Sequence, residues 1–340
     1  MKFSEDKKQT IKRYILEKIE KSTPSLSKTV AETFDVNTST IHAYINELVE
    51  DNIIKKIKRG EYELVSQENV YELCRKDGDL DNDTYAFDAC LYEHIKEFDK
   101  NVQNIWAYTF SEMINNVMDH SMANNVRIIV TQNFMTTSVM IIDNGIGIFK
   151  KIQEYFNLPS IDEAICELFK GKLTTDTANH SGEGIFFSSK LMDEFFIASS
   201  GKIFTNNKYD DSRIIDLALG NQKGTCVFMA LSNFTHKTAK EVFDAYANLD
   251  GGFVKTIIPL KNIFDASPVS RSQAKRVCNR LDKFKEVVVD FENVSWMGQG
   301  FAHQLFVVFA NSNPDILITP INMNEDIEKM YNHVKISNEK

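Results

Sequence analysis

The sequence predicts an α+β protein of several domains, and three observations lead there. At 340 residues the chain has length for two or three domains. Its apolar spacing changes character twice. Helical windows fill roughly the first 50 residues, helices and strand-type runs mix from Tyr85 to about Asn233, and strands alternate with helices from Phe253 onward. Charge is also uneven: of a formal net charge of −9, residues 1–65 hold 12 Lys/Arg against 11 Asp/Glu, or +1, leaving −10 for the rest.

Composition narrows the class. Hydrophobic residues at 43% and charged residues at 26% suit a folded, water-facing protein. No apolar run reaches the length of a membrane span, and the start MKFSEDKKQT lacks the apolar core of a signal peptide, so a cytoplasmic protein with no membrane partner is expected. Cys74, Cys90, Cys166, Cys226 and Cys278 are scattered without C-x-x-C spacing, which points to reduced thiols and away from a zinc site. With a negative balance overall, any nucleic-acid surface belongs at the N-terminus.

Residues 1–66 read as three helices and a hairpin. Ile11, Ile15 and Ile19 recur at helical spacing, and SLSKTVAETF follows the break at Ser22-Thr23-Pro24. Asn37 is a suitable N-cap for TSTIHAYINELVEDN, with Ile41, Ile45 and Leu48 facing inward. IIKKIKRGEYELV then supplies two β-type runs around Arg59-Gly60. The order resembles the winged helix-turn-helix of bacterial transcription regulators. That resemblance implies DNA as a partner, with Thr38, Ser39, Thr40 and His42 facing the major groove and Lys55, Lys56, Lys58 and Arg59 on phosphate. It also makes a homodimer on two half-sites plausible.

Residues 67–84 are acidic and irregular (RKDGDLDNDT) and read as a linker. Residues 85–235 form the central domain. At its centre EMINNVMDHS, placed on a helix at about 100° per residue, sets Glu112, Asn115, Asn116, Asp119 and His120 on one side. Met113, Ile114, Val117 and Met118 take the other. The polar side holds acids and amides but no Lys or Arg, unlike an ordinary solvated face where both signs are mixed. Asn115 also reads as a plain surface amide. Downstream, D-N-G-I-G-I (143–148) ends a strand-type run, S-G-E-G-I-F (181–186) opens a helix, and K-G-T-C-V-F (223–228) begins another strand. Glycines at a helix start leave backbone N–H groups and a favourable dipole for phosphate.

Glu-x-x-x-Asn, D-x-G-x-G, G-x-G and Gly-Thr, in that order over about 150 residues, resemble the GHKL ATPases. These include gyrase-type and Hsp90-type ATPases, MutL and the histidine kinases, and they share the Bergerat α/β sandwich. The resemblance implies ATP and Mg²⁺ as cofactors. It makes Glu112 the catalytic base that deprotonates water and Asn116 the Mg²⁺ ligand, which explains a polar face without cations. Asp143 would accept from the adenine amino group, with Thr225 supporting it. Asp119 would serve the base-binding end through water. Gly145 and Gly147 would allow a close turn, and Gly182 and Gly184 would offer N–H groups to phosphate. Residues 149–181, with GKLTTDTANH, correspond to the ATP lid, and Lys172 is a γ-phosphate candidate.

The family both hydrolyses ATP and transfers its γ-phosphoryl group. No phosphoacceptor helix precedes Glu112, and His94 reads as an ordinary helix-surface residue, so a sensor-type autokinase is not expected. Anti-sigma-factor kinases, which phosphorylate a serine on a STAS partner, are a third precedent. Residues 236–252 read as a connecting helix or linker. Residues 253–340 resemble a STAS-like α/β domain through S-R-S-Q-A-K-R (270–276) and D-F-E-N-V-S-W-M-G-Q-G-F-A-H-Q-L-F (290–306). The Asp-Ser of STAS antagonists is Gly298-Gln299 here, and glutamine accepts no phosphate; Ser295 lies earlier in the turn. The expectation is a cytosolic regulator in which Mg-ATP binding and slow hydrolysis switch DNA binding at one end, or an unknown protein partner at the other. A serine kinase acting on a separate partner and a non-hydrolysing, ATP-sensing repressor are the alternatives.

Overall fold

The computed structural model describes residues 5–173, 182–205, 223–248, 252–264 and 266–336. The described chain divides into two compact units. One takes the residues up to Val70 with the stretches 129–139 and 230–235, and the other takes 71–128, 140–229 and 236–340.

The first unit contains α1 (Glu5–Glu20), α2 (Leu26–Phe34), α3 (Thr38–Glu50) and the antiparallel hairpin β1 (Ile54–Lys58) and β2 (Glu61–Leu64). Gly60 turns the hairpin at a φ of 79°, where a side chain would be strained. Ile11, Ile15, Ile41, Ile45 and Leu48 are buried, as their spacing requires. Asn37 does precede α3 in extended geometry, but its side chain makes no capping bond. The core draws on residues far along the chain, because Met135 is buried in it and Phe234 packs on it. The Arg13 guanidinium lies 4.3 Å from the centre of the Phe234 ring.

The segment expected to be a linker is partly strand. β3 (Gln67–Cys74) is an edge of a six-stranded sheet whose order is β3-β4-β5-β8-β6-β7. The other strands are β4 (Asn125–Gln132), β5 (Thr136–Asp143), β6 (Glu194–Ser199), β7 (Lys202–Thr205) and β8 (Thr225–Ser232). The acidic stretch after β3 is held by specific bonds: Asp79 accepts from the Cys74 N–H at 2.9 Å. Arg75 donates to the carbonyls of Ala123 at 2.9 Å and Met118 at 3.0 Å. Such polar bonds leave no apolar period in the sequence, which is why the segment read as irregular.

Helices of the second unit include α4 (Asp83–Phe87), α5 (Lys100–Asn115), α6 (Ile148–Tyr155), α7 (Ile161–Lys170), α8 (Gly184–Leu191) and α9 (Ala239–Asp244). α5 runs on into a π-helical turn, Asn116–Ser121, a distortion that recurs at functional sites. α9 starts with a reciprocal cap between Thr238 and Glu241 inside the expected connector.

The C-terminal part is a three-stranded parallel sheet with β10 (Glu286–Asp290) between β9 (Lys255–Pro259) and β11 (Leu317–Ile321). Val287 lies opposite Thr256 and Ile318, which sets the register. α10 (Arg271–Cys278), α11 (Gln299–His303) and α12 (Glu325–Ile336) complete it. Parallel neighbours need crossovers, and helices provide them. Phe186 and Phe187 of α8 share one buried cluster with Tyr246, Phe253, Val289 and Phe301, so this sheet is packed onto the central helices. Each such side chain contributes about 2 kcal/mol by burial.

Candidate functional site

A cavity of about 240 Å³ opens between the end of α5, the start of α6 and the start of α8. Glu112, Asn116 and His120 stand on its wall at four-residue intervals, since successive turns of α5 and its π-helical extension present them to one side. The Asn116 amide nitrogen donates to the Glu112 carbonyl at 2.8 Å, so its oxygen is the atom left to accept or to ligate. Opposite, Gly182 and Gly184 bring the N-terminus of α8 to the cavity. A methyl group added at Gly184 would fall on the Glu112 carboxylate, which would have to swing aside, so the glycine lets the two approach as they do.

Asp143 ends β5 and is buried on the wall of the cavity. Its Oδ1 accepts from the Gly145 N–H at 2.7 Å. Burial raises its proton affinity above the ordinary carboxylate value, and hydrogen bonds from the Gly145 and Thr225 backbone and the Thr225 hydroxyl oppose that. The Thr225 Oγ1 also accepts from the Ile148 N–H at 3.1 Å, tying β8 to the start of α6. Gly147 has a φ of 84°, and a Cβ there would sit 2.6 Å from the Ser199 hydroxyl oxygen. This side therefore pairs a buried carboxylate with apolar walls from Ile148, Ile152, Ile197 and Val227, a slot suited to a flat ring carrying a donor.

The structure thus brings Glu112, Asn116, Asp143, Gly147, Gly182, Gly184 and Thr225 to one cavity. Asp119 and Gly145 are not on its wall: Asp119 is exposed, and Gly145 lies behind Asp143 against the Ser121 carbonyl. Residues 174–181 of the expected lid lie outside the described residues. The base of that segment is pinned, since the Leu173 N–H donates to the Gly182 carbonyl at 3.0 Å. Lys151 was missed. It stands on the cavity wall and donates to the His120 carbonyl at 2.8 Å, and only its place one turn into the helix after Gly147 hinted at that.

Lys172 lies elsewhere. Its ammonium donates to the Lys283 carbonyl at 3.0 Å, over the rings of Phe253 and Phe284 at 5.4 and 5.0 Å, and it does not line the cavity. The two aromatic faces and a backbone acceptor hold the cation there. The preceding turn is gripped in the same way. Lys170, 1% exposed, donates to Glu167 at 2.6 Å and to the carbonyls of Arg276 and Asn279 at 3.0 and 2.6 Å. Asn279 donates back to Glu167 at 3.0 Å, and the Arg280 Nε stands 3.3 Å from its other oxygen. Arg280 also donates to the Lys172 carbonyl at 3.2 Å. Residues 167–172, within the segment expected to be the lid, are therefore bonded to residues 276–283.

Comparison with known families decides the class. Residues 102–233 match the histidine kinase-, DNA gyrase B-, and HSP90-like ATPases, and residues 273–328 match a STAS-like domain of unknown function (DUF4325). The chain carries a GHKL-type ATPase domain and a STAS-like domain. No curated protein matches it. ATP binding follows from the ATPase domain, and an ATP-binding regulator is the function that the pair supports. Among the described residues no helix is long and apolar enough to cross a membrane.

Other candidate residues now have surroundings. His94 is half-buried, with its Nε2 2.8 Å from the Tyr71 hydroxyl, and burial lowers its proton affinity. In the STAS-like domain the Ser295 hydroxyl lies 2.9 Å from that of Ser267, and Gln299 opens α11 beside Gly298. In the first unit Thr38, Ser39 and His42 are exposed and Thr40 partly so, and Lys55, Lys56, Lys58 and Arg59 are exposed along the hairpin. Lys55 pairs with Glu63, and Lys58 with Glu61 at 2.9 Å. α3 has no Lys or Arg, and its Glu47 is held by Lys8 at 2.8 Å and Lys12 at 2.9 Å.

Proposed function

We propose that the protein is an ATP-driven switch, in which Mg-ATP binding and slow hydrolysis in the ATPase domain alter what the two ends of the chain hold. The observation that carries this reading is the Glu112 carboxylate, set against the α8 N-terminus in one cavity with the buried Asp143. Asp143 takes the adenine amino group, and the Gly182 and Gly184 backbone meets phosphate. Asn116, its nitrogen already bonded, would hold Mg²⁺ through its oxygen. When bound, the metal supplies charge that offsets the phosphates. Glu112 orients a water and takes its proton as the water oxygen bonds to the γ-phosphorus and the bond to ADP breaks.

The bonds from Glu167, Lys170 and Lys172 to the STAS-like domain support a route from lid to output. A change in lid position selected by nucleotide shifts the population of arrangements at that contact. The first unit, with its three helices and basic hairpin, is the proposed DNA-binding end, and the STAS-like domain the protein-binding end. Calorimetry with Mg-ATP, beside turnover by wild type and Glu112→Ala, tests the reading. Binding by both with turnover by the wild type alone is expected, and absence of Mg-ATP binding would sink it. Transfer of labelled γ-phosphate to a co-purified protein, in place of release, would replace hydrolysis with serine kinase activity.

A further inference from the structure

Residues 293–314 hold no Asp, Glu, Lys or Arg, in a chain of which 26% is charged, and no other uncharged stretch is as long. They form the turn before α11, α11 itself and its helical continuation to Ser312. The inner side of this run belongs to the core, with Phe301, Leu305 and Phe306 buried. The outer side meets solvent, with Trp296 51% and Val308 39% exposed. A solvated helix face ordinarily carries charge, whereas the centre of a protein interface is depleted of it and enriched in aromatic residues.

The margins of this strip select the partner. Strands β9, β10 and β11 are parallel, and α11 packs against α10 on one side and α12 on the other. The three helices start level. A methyl group added at Gly300 would lie 3.6 Å from the Arg271 Cγ, and the Asn324 amide donates to the carbonyls of Val294 at 3.0 Å and Ser295 at 2.8 Å. α10 exposes Arg271 and Lys275 and has no acid. The first turns of α12 expose Glu325, Asp326 and Glu328, with Lys329 3.7 Å from the first two. An uncharged strip thus runs between a basic margin and an acidic one. A second copy, turned by a two-fold axis along α11, sets its acidic margin on the basic margin of the first, and the reciprocal contact forms with it. An axis across the helices would set like charge on like. Two chains that each carry a formal net charge of −9 repel overall, so they approach at least cost where charge is missing.

We propose that the outer face of α11 is the contact between two copies of this chain, paired about a two-fold axis along the helix through Trp296 and Val308.

Sedimentation velocity of the full chain over a concentration series, without nucleotide, tests this. The wild type should form a dimer, and Trp296→Ser or Val308→Asp should weaken it about tenfold or more. Arg271→Glu with Lys275→Glu should weaken it, as should Glu325→Lys with Glu328→Lys. All four changes together should restore it, because each margin then meets its opposite again. A wild type that stays monomeric up to about 100 μM, weaker than interfaces of standard size, would leave the strip to a different protein and overturn the proposal. So would a dimer that none of these substitutions weakens, or one that the combined charge reversal fails to restore. Melting temperatures identify a variant that fails to fold. Should an apolar substitution be that variant, the charge reversals, all at exposed positions, decide the question.

Discussion

Lys170 and Glu167 are bonded at 2.6 Å, and both are almost sealed from solvent on the last turn of α7. The pair is completed by Asn279 and Arg280 from beyond the end of α10. Ion pairs buried this deeply are costly to break from one side, because the remaining charge keeps its desolvation and loses its partner.

Lys170→Met should therefore destabilise the second unit by about 3–5 kcal/mol. Glu167→Gln combined with Lys170→Met should cost less than the two single changes added together. Urea denaturation of the four proteins measures this, and strict additivity would count against a coupled cluster.

Gly184→Ala places a methyl group on the Glu112 carboxylate. The carboxylate must turn aside to make room, at a cost of about 1 kcal/mol. With Glu112→Ala in the background the obstruction is gone, and the same substitution should be close to neutral or slightly stabilising, since alanine suits a helix better than glycine. Thermal melts of the single and double variants decide it. A penalty that persists without Glu112 would place the conflict elsewhere.

Asp143→Asn should weaken ATP by more than tenfold while leaving the apoprotein as stable or more so. The folded carboxyl has a raised pKa, so it favours the protonated form. Its contribution to stability is therefore greatest below the unfolded pKa and declines as pH rises through the folded one. The stability of Asp143→Asn relative to wild type should accordingly improve between acid and neutral pH. Denaturation at several pH values checks the sign, and a gap that narrows toward neutral would contradict the buried assignment.

Lys172→Ala should leave ATP affinity within about threefold, because the side chain is occupied with Lys283, Phe253 and Phe284. Its loss should cost about 1 kcal/mol in stability. A tenfold or larger loss of ATP affinity would restore it to the phosphates.

Should the first unit bind duplex DNA, Lys56→Ala with Arg59→Ala ought to weaken it about equally for all sequences and flatten the salt dependence. Fluorescence anisotropy of the full chain across a salt series measures both. An unchanged slope would remove the hairpin from the phosphate backbone.

Periodicity and motif order, both local in the chain, were enough for a sequence reading of the three helices and hairpin of the first unit and the alternating strands and helices after Phe253. They also pointed to seven of the residues that meet in the cavity, since Glu112 and Asn116 are one turn apart and the glycines mark where backbone must come close. Those features follow from backbone geometry over a few residues. The tertiary structure alone decided the rest. It made β3 out of a segment read as linker, and drew Met135 and Phe234 into the core or its margin in the first unit. It also turned Lys172 onto Lys283 and brought Lys151 to the acidic side of α5. In each case the partner is far along the chain. What selects it is the burial and hydrogen bonding that become available only once the chain has packed, and no local window carries that information.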